Sequence, residues 1–274
     1  MTSQRGQIQV IDRAMVLLRA LSEGGPEVRL RDLTRSSGLS PSTTRRILSS
    51  LIENDLCEQN GDGSYRLGLA LFELGTRVEA NFDLRDRSRP GLERLAATTN
   101  LTAFLCVRRD LKAICIDRLD GNYAFSLALT VGGSLPLHVG GASRALLAWD
   151  SDEQVLSYLR DAPPFTALTP RTLVTPEQVL ADVKESRERG WAISNEDVTP
   201  GVAAIGAPIF GHVQPERPLA AISVAGLTPH VLGERADEIA GLLTQTADTI
   251  SRSLGYEVKR SPGPTGRPLS PEAA

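Results

Sequence analysis

The side chains best suited to a chemical task are the hydroxyls and arginines of residues 40–49, SPSTTRRILS. Ser40 followed by Pro41 predicts a helix start, because a serine oxygen caps free amides and proline loses no hydrogen bond at the first helical position. Ile47 and Leu48 mark the buried face, so hydroxyls and two arginines lie on the other side. Such a face suits phosphates and base edges in a DNA major groove. The predicted DNA contacts on this helix are Ser40, Ser42, Thr43, Arg45, Arg46 and Ser49.

Residues 141–145, GASRA, are the nearest approach to a hydrolase motif and differ from a G-x-S-x-G elbow at one position. A nucleophilic serine also needs a positioned base and a strand that runs straight into the turn, which Pro136 and Gly140 interrupt. The three histidines have no partner at i,i+4 and few acidic neighbours in the sequence, so they do not form a metal-binding pattern. The sequence therefore predicts no enzyme, no metal site and no cofactor.

The cysteines and the overall composition place the chain among soluble globular proteins. Cys57, Cys106 and Cys115 are widely spaced and form no CxxC pair, which predicts neither a disulfide framework nor a zinc site. The 274 residues are 41% hydrophobic and 23% charged, and no apolar run is long enough to span a membrane. The first residues lack the apolar core of a signal peptide, so we expect a cytoplasmic location and no membrane partner.

The charge is unevenly distributed along the chain. Residues 1–50 contain eight arginines and four acidic residues, a net charge of +4, whereas the whole chain carries −3 and the remainder therefore −7. A basic N-terminal module on an acidic body is typical of a protein that binds nucleic acid through one end only.

Three further elements are predicted to position the arginine-bearing helix. A helix over residues 30–37 ends at Gly38, and a hairpin over 56–67 turns at NGDG, residues 60–63. An amphipathic helix over 7–23 completes a three-helix core. Together these elements predict a winged helix-turn-helix whose wing brings Arg66 to the DNA backbone or minor groove. Two short helices around a glycine turn also occur in proteins that never bind DNA, so the motif alone leaves both alternatives open.

The rest of the chain predicts a linker and a second domain. A helix from Gly68 to about Phe82 either caps the winged-helix core or acts as a connector with dimer contacts. The polar run 83–90 predicts a domain boundary. Beyond it we predict strands over 101–107, 113–119, 123–129, 190–193, 202–210 and 219–225, with helices over 92–99, 142–148, 152–159, 175–189 and 232–254. Adjacent strand pairs favour antiparallel pairing. The predicted class is α+β, with domains over 1–67, 68–89 (linker helix and hinge) and 90–256, and a disordered tail over 257–274.

Several segments, in order and at matching spacing, resemble one family over about residues 7–256. They are QVIDRAMVLLRALS (9–22), GLSPSTTRRILSSL (38–51), YRLG (65–68), LPLHVGGASRALLA (135–148), RERGWAISNEDVTPGVAAIGAPIF (187–210) and LAAISVAG (219–226). The family is the IclR family of bacterial transcriptional regulators. The resemblance implies a winged helix-turn-helix, a linker helix and a C-terminal effector-binding domain similar to GAF and PAS sensors. It also implies dimers, which in this family often pair into tetramers.

By position, the resemblance also implies an effector pocket on one face of the sheet. Its lining would be Ala124, Leu127, Gly141, Ala142, Ser194, Val202, Ala204, Ser223 and Ala225. These residues are small or apolar, with two hydroxyls, which leaves space without supplying a strong charge. Gly141 and Ala142 begin a helix, whose free amides suit a carboxylate. Many effectors of the family are small organic acids or aromatic catabolites.

The expected function is that of a sequence-specific DNA-binding regulator controlled by a small-molecule effector, with repression favoured over activation. A homodimer places two recognition helices in successive major grooves of double-stranded DNA, so the operator should be palindromic. The alternative is a small-molecule sensor or scaffold whose N-terminal domain binds protein instead of DNA.

Overall fold

The computed structural model describes residues 9–80, 83–121 and 127–256. The chain divides into two compact units, Met1–Phe82 and Asp83–Ala274. The predicted linker, 68–89, therefore contributes one helix to the first unit and the start of another helix to the second. The predicted disordered tail, 257–274, lies outside the described residues.

The first unit is a three-helix core with a two-stranded wing. Its elements are α1 (Gln9–Glu23), α2 (Leu30–Ser37), α3 (Pro41–Glu53), β1 (Cys57–Gln59), β2 (Tyr65–Leu67) and α4 (Leu69–Ala80). Leu17, Leu33 and Leu48, one from each helix, are almost fully buried against one another. Val28 and Tyr65 exchange two backbone hydrogen bonds of 2.9 Å. This bridge fixes the base of the wing to the loop that follows α1.

Local capping sets the geometry of the turn between α2 and α3. Gly38 adopts φ 66°, the left-handed conformation that glycine tolerates best, and ends α2. The Ser40 hydroxyl accepts a hydrogen bond from the backbone N–H of Thr43, and Pro41 occupies the first turn of α3. The predicted start of the recognition helix is thus encoded in adjacent residues.

The second unit is a six-stranded antiparallel sheet with helices on both faces. Its helices are α5 (Asp83–Thr99), α6 (Gly141–Ala148), α7 (Asp152–Asp161), α8 (Pro176–Arg189), α9 (Thr228–Val231) and α10 (Ala236–Ser253). Its strands are β3 (Thr102–Arg109), β4 (Lys112–Leu119), β5 (Ser134–Pro136), β6 (Ala192–Asn195), β7 (Val202–Phe210) and β8 (Pro218–Leu227). The strand order is β5-β4-β3-β8-β7-β6. The predicted α+β class, with an N-terminal helix-turn-helix and a mixed C-terminal domain, is confirmed.

Alternating side chains of the central strands pack into two separate hydrophobic cores, one on each face of the sheet. Leu105 and Ile205 pack with α5 and α10 on one face, whereas Phe104 and Ala204 pack toward α6 on the other. The three cysteines are free thiols and are buried in the protein interior. Because both faces of the sheet are covered, its strands are rich in buried apolar residues rather than strictly alternating.

The helix that was predicted to begin at Leu92 begins earlier in the structure, as α5. It begins at Asp83 and continues through Pro90, so the polar run 83–90 is helical. Leu84, Ser88 and Leu92 are spaced four residues apart and are all buried on one face. Burial of this face outweighs the hydrogen bond that proline cannot donate.

The predicted strand over 123–129 falls mostly outside the described residues, and its last three residues, 127–129, are not in a strand. Strand β5, only three residues long, forms the edge of the sheet beside β4 instead. Among the described residues, no helix is long and apolar enough to cross a membrane.

Candidate nucleic-acid interface and ligand pocket

Helix α3 presents the predicted DNA contacts on its outer side. Ser40, Ser42 and Ser49 are exposed, Thr43 is half-buried, and both arginines are exposed. Ile47 and Leu48 point into the core on the opposite side. Within the described ranges, neither Arg45 nor Arg46 has a carboxylate or other hydrogen-bonding partner. Both guanidinium groups are therefore available to an external anion.

The hydroxyls at the start of α3 form a small cluster. The Ser40 Oγ lies 2.9 Å from Thr43 Oγ1 and 3.1 Å from Ser42 Oγ. The same Ser40 oxygen accepts the backbone N–H of Thr43 at 3.3 Å. Ser40 thus serves first as the helix cap, and the other two hydroxyls are held beside it at the solvent-facing end of the helix.

Arg66, the predicted wing contact, is exposed but already has a partner. Its Nε and Nη2 donate to one oxygen of Glu58 at 2.8 and 2.5 Å. The two residues are direct cross-strand partners in the wing hairpin. At the wing tip, Arg29 pairs with Asp62 at 3.1 Å. The sequence reasoning missed both pairs, although the hairpin register alone would have placed Glu58 opposite Arg66.

The residues predicted for the effector pocket come together in the second unit. Leu127, Gly141, Ala142, Ser194, Val202, Ala204, Ser223 and Ala225 all line one cavity of about 50 Å³. Ala124, the remaining member of that set, lies outside the described residues. The cavity is bounded by the start of α6, by β7 and β8, and by the loop over 196–201. The other described residues of its lining are Phe104, Ala128, Leu129, Leu135, Gly140, Ser143, Val198, Thr199 and Ala203, and no described lining residue carries a charged side chain.

The start of α6 is uncapped where it meets this cavity. Gly140 occupies the N-cap with φ 85° and provides no side-chain hydrogen bond. The first amides of the helix therefore need an acceptor from elsewhere. The helix also lies directly on β7, since a Cβ at Gly206 would come within 2.1 Å of the Gly141 carbonyl oxygen. A Cβ at Gly141 would in turn meet the Ala204 Cβ at 3.0 Å.

Hydroxyl groups supply the polar part of the pocket lining. Ser143, Thr199 and Ser223 line the cavity, and their side chains have no hydrogen-bonding partner in the part of the chain that the structure describes. Ser194 differs, because its hydroxyl donates to the Asp197 carboxylate. Three free hydroxyls and an uncapped helix start can therefore bind the oxygens of a small ligand.

A buried ion-pair network supports the pocket from behind. Asp197 accepts the backbone N–H of Gly140 at 3.1 Å and binds Nη2 of Arg144 at 2.8 Å. Arg144 also binds Asp182 at 2.8 Å and donates to the carbonyl of Ile193. Burial raises the pKa of Asp182, although the nearby Arg144 opposes this shift. The network orients the loop and the helix start without placing a charge in the cavity.

His138 lies among aromatic side chains and does not line the cavity. Its Nδ1 is 2.7 Å from the Tyr158 hydroxyl, and its ring packs 4.6 Å from the ring of Phe165. Burial, with a smaller contribution from Arg144, lowers the pKa of His138 to about 4, and Asp197 opposes the shift. His138 is therefore neutral at physiological pH. Ser143 has no hydrogen bond to a base within the described residues, so its hydroxyl is not arranged as an activated nucleophile.

Comparison with known proteins gives matches over both units. The IclR helix-turn-helix domain matches residues 10–61, and the bacterial transcriptional regulator IclR C-terminal domain matches residues 76–252. The HTH-type transcriptional regulator XynR of Escherichia coli (strain K12) is 30% identical over 250 residues, which cover 91% of this chain and 98% of that protein. The transcriptional repressor IclR of the same strain is 29% identical over 253 residues, 91% of each chain.

The same architecture occurs among solved structures. An IclR homologue from Microbacterium hydrocarbonoxydans, crystallised in complex with 4-hydroxybenzoate, superposes with a TM-score of 0.76 at 23% identity. The alignment covers 90% of this chain and 99% of the homologue. The family matches confirm the resemblance seen in the sequence motifs, and they span both the helix-turn-helix and the sheet domain. The chain belongs to the IclR family of DNA-binding transcriptional regulators.

Proposed function

We propose that this regulator is a repressor whose DNA binding is controlled by a small organic acid, aromatic acids included, bound in the cavity at the start of α6. The observation that carries the proposal is the uncapped N-terminus of α6 beside a cavity whose described lining residues carry no charged side chain. The positive end of a helix attracts a carboxylate, and the free amides give it hydrogen-bond donors. A cationic ligand would find no carboxylate among the lining residues that the structure describes.

The remaining lining argues for a compact ligand with one polar end. Ser143, Thr199 and Ser223 can bind hydroxyl or oxo groups, whereas Phe104 and Val202 provide apolar contacts. A cavity of about 50 Å³ holds only a few water molecules, so the smallest acids need the least rearrangement. An aromatic acid, such as the 4-hydroxybenzoate bound by the Microbacterium homologue, requires the walls to move apart.

We further propose that the protein acts in the cytoplasm as a homodimer on a palindromic operator. Support comes from apolar residues on the surface of the first unit. Val10 and Ile11 on α1 are each 57% exposed, and Leu69 and Phe72 on α4 are 62% and 68% exposed. Large apolar side chains with more than half of their surface exposed are candidates for protein–protein contacts. A two-fold dimer presents two copies of α3, which matches a two-fold operator. The E. coli IclR relative is a transcriptional repressor.

Ligand binding can be tested by calorimetry and thermal shift with small oxo- and hydroxycarboxylates and with 4-hydroxybenzoate. A binding acid raises the melting temperature, and the rise grows with ln(1 + c/Kd) as its free concentration c increases. Ser223→Ala should weaken binding about threefold to tenfold, because one net hydrogen bond is lost. Ala204→Leu fills the cavity and should abolish binding, whereas Ala97→Leu, on the exposed side of α5, should not change it. Binding that survives Ala204→Leu would place the ligand elsewhere.

Repression can be tested with a reporter gene under the control of the regulator's own upstream region. Deletion of the regulator should raise expression, and the acid that binds in vitro should have the same effect. Ala204→Leu should repress but fail to respond to the acid. A fall in expression on deletion would identify an activator instead.

Sedimentation of the protein with operator DNA should give two chains per palindrome, and one chain per site would contradict the dimer.

A further inference from the structure

A second and much larger cleft lies in the effector-binding unit, away from the α6 pocket. Its volume is about 940 Å³, and it is formed by the hairpin between β3 and β4, the hairpin between β7 and β8, and the end of α10. The two cavities share no lining residue. Volumes of this order are typical of small-molecule binding sites.

Cationic side chains dominate the charged groups of this cleft. Arg87, Arg108 and Arg217 line it, and Asp110 is the acidic residue among the lining residues that the structure describes. Beneath the lining, the buried carboxylate of Asp150 binds both Arg108 and Arg217, the latter through Nε at 2.8 Å. Two guanidinium groups therefore share one carboxylate.

The shared carboxylate leaves guanidinium hydrogens without acceptors. Among the described residues, no partner exists for Nη2 of Arg108 or Nη1 of Arg217. Burial lowers the pKa of Arg108, and the neighbouring Arg217 adds to this shift while Asp150 opposes it. The repulsion between the two guanidinium groups would be relieved by a second anion.

Apolar side chains that are open to solvent also line the cleft. Val213 is 77% exposed and Leu219 is 47% exposed, and Leu254 lies beside them in the lining. A cleft lined by both arginines and exposed apolar side chains matches a ligand that has an anionic head and an apolar body.

We propose that this cleft is a second ligand site of the effector-binding unit, specific for a small molecule that joins a phosphate or carboxylate to an apolar group. The head binds the free N–H groups of Arg108 and Arg217, and the body covers Val213 and Leu219. The proposal does not depend on the α6 pocket. Helix α6 nevertheless links the two sites in the chain, because Asp150 follows its C-terminal end. The Arg108–Asp150–Arg217 ion pairs therefore lie next to the C-terminal end of the helix whose N-terminus borders the first pocket.

The site can be tested by calorimetry of the full chain with three probes: inorganic phosphate, phenyl phosphate and phenylacetate. We expect phenyl phosphate to bind about tenfold more tightly than inorganic phosphate, because its ring buries apolar surface. Tighter binding of phenylacetate than of phenyl phosphate would assign the head as a carboxylate, and the reverse order would assign a phosphate; both outcomes support the site. Absence of heat with all three probes would overturn it.

Variants then locate the bound probe. Arg217→Gln should weaken binding about tenfold while Arg108 continues to neutralise Asp150. Val213→Glu changes a solvent-exposed side chain, leaves every ion pair intact, and should weaken binding by electrostatic repulsion even if Arg217→Gln proves unstable. Arg160→Gln, which removes an exposed cation on α7, should bind as the wild type does. Equal affinity in Val213→Glu and the wild type would overturn the proposal.

Ala204→Leu separates this proposal from that for the α6 pocket. A probe in the second cleft binds this variant with unchanged affinity, whereas a probe in the α6 pocket is lost. Loss of phenyl phosphate binding in Ala204→Leu would assign the probe to the first pocket and contradict the second site.

Discussion

Arg144 and Asp197 form a buried ion pair behind the α6 pocket, with Nη2 and Oδ2 2.8 Å apart. Arg144 lies on α6 and Asp197 lies in the loop between β6 and β7, so the pair ties the helix to the loop. Asp197 also accepts the Ser194 hydroxyl and the Gly140 amide. One carboxylate thus orients two of the polar groups that surround the cavity.

Removal of this carboxylate charge should destabilise the second unit. Asp197→Asn conserves shape but leaves the Arg144 charge less compensated, at an expected cost of about 3 kcal/mol in the free energy of unfolding. Both tryptophans, Trp149 and Trp191, belong to the second unit, so fluorescence during urea denaturation measures the unfolding of that unit. Asp161→Asn, at an exposed site, should change stability by no more than about 0.5 kcal/mol. An equal effect of both substitutions would contradict the role of the buried pair.

His138 should make the protein sensitive to mild acid. Its pKa is about 4 in the folded chain and about 6.5 in an unfolded one, so the unfolded state binds more protons between these values. Stability contributed by neutral His138 is fully present above pH 6.5 and is lost as the pH falls toward 4. The expected total is on the order of 3 kcal/mol.

The measurement is the free energy of unfolding of the second unit at several pH values from 7.5 to 4. In His138→Gln, the free energy of unfolding should change much less with pH over this range than in the wild type. This holds whatever the stability of the variant at neutral pH. Ala97→Leu, which changes an exposed side chain that does not titrate, should keep the pH dependence of the wild type. A slope that persists unchanged in His138→Gln would assign the acid sensitivity to other groups.

Arg46 should contribute directly to DNA affinity, because its guanidinium is exposed on α3 and has no partner among the described residues. Arg46→Ala should cost about 1–3 kcal/mol if the side chain binds a base. If it binds a phosphate, the slope of log affinity against log salt concentration should become shallower by about 0.9. Gel-shift titrations on the upstream region at several salt concentrations distinguish the two. Arg160→Ala, in the second unit, is the matched control, and affinity independent of salt would favour the alternative in which the first unit binds protein.

The ion pair between Arg66 and Glu58 predicts that Glu58 competes with DNA for the Arg66 guanidinium. Glu58→Gln removes a carboxylate near the phosphates and frees Arg66, so operator affinity should rise by about threefold to tenfold at moderate salt. Stability should change by less than about 1 kcal/mol, since both side chains are exposed. Glu23→Gln, at the end of α1, controls for overall charge. An increase that survives the double substitution Glu58→Gln/Arg66→Gln would show that Arg66 is not the group released.

Elements whose signals are local were predictable from the sequence. Gly38, Ser40 and Pro41 define a turn and a helix start through their own backbone preferences and capping groups, and the structure retains each feature. The first half of α5 was not predictable in this way. Its start at Asp83 depends on burial of Leu84 and Ser88 against the rest of the second unit, which no local signal reveals.

The pocket required information of another kind. Leu127, Gly141, Ser194 and Ser223 lie in different segments and meet only after the sheet and α6 have formed. Their spacing carries no periodic signal, so the family resemblance, rather than residue chemistry, brought them together in the prediction. The binding properties of each position still follow from its own contacts, as the difference between Ser194 and Ser223 demonstrates.

The contact between Gly141 and Gly206 has a mechanical consequence. With no side chain between them, the first turn of α6 and the backbone of β7 have no deformable layer to absorb a displacement. A ligand that pushes on the helix start must therefore tilt the strand with it. We therefore expect a ligand at the helix start to displace β7 together with α6.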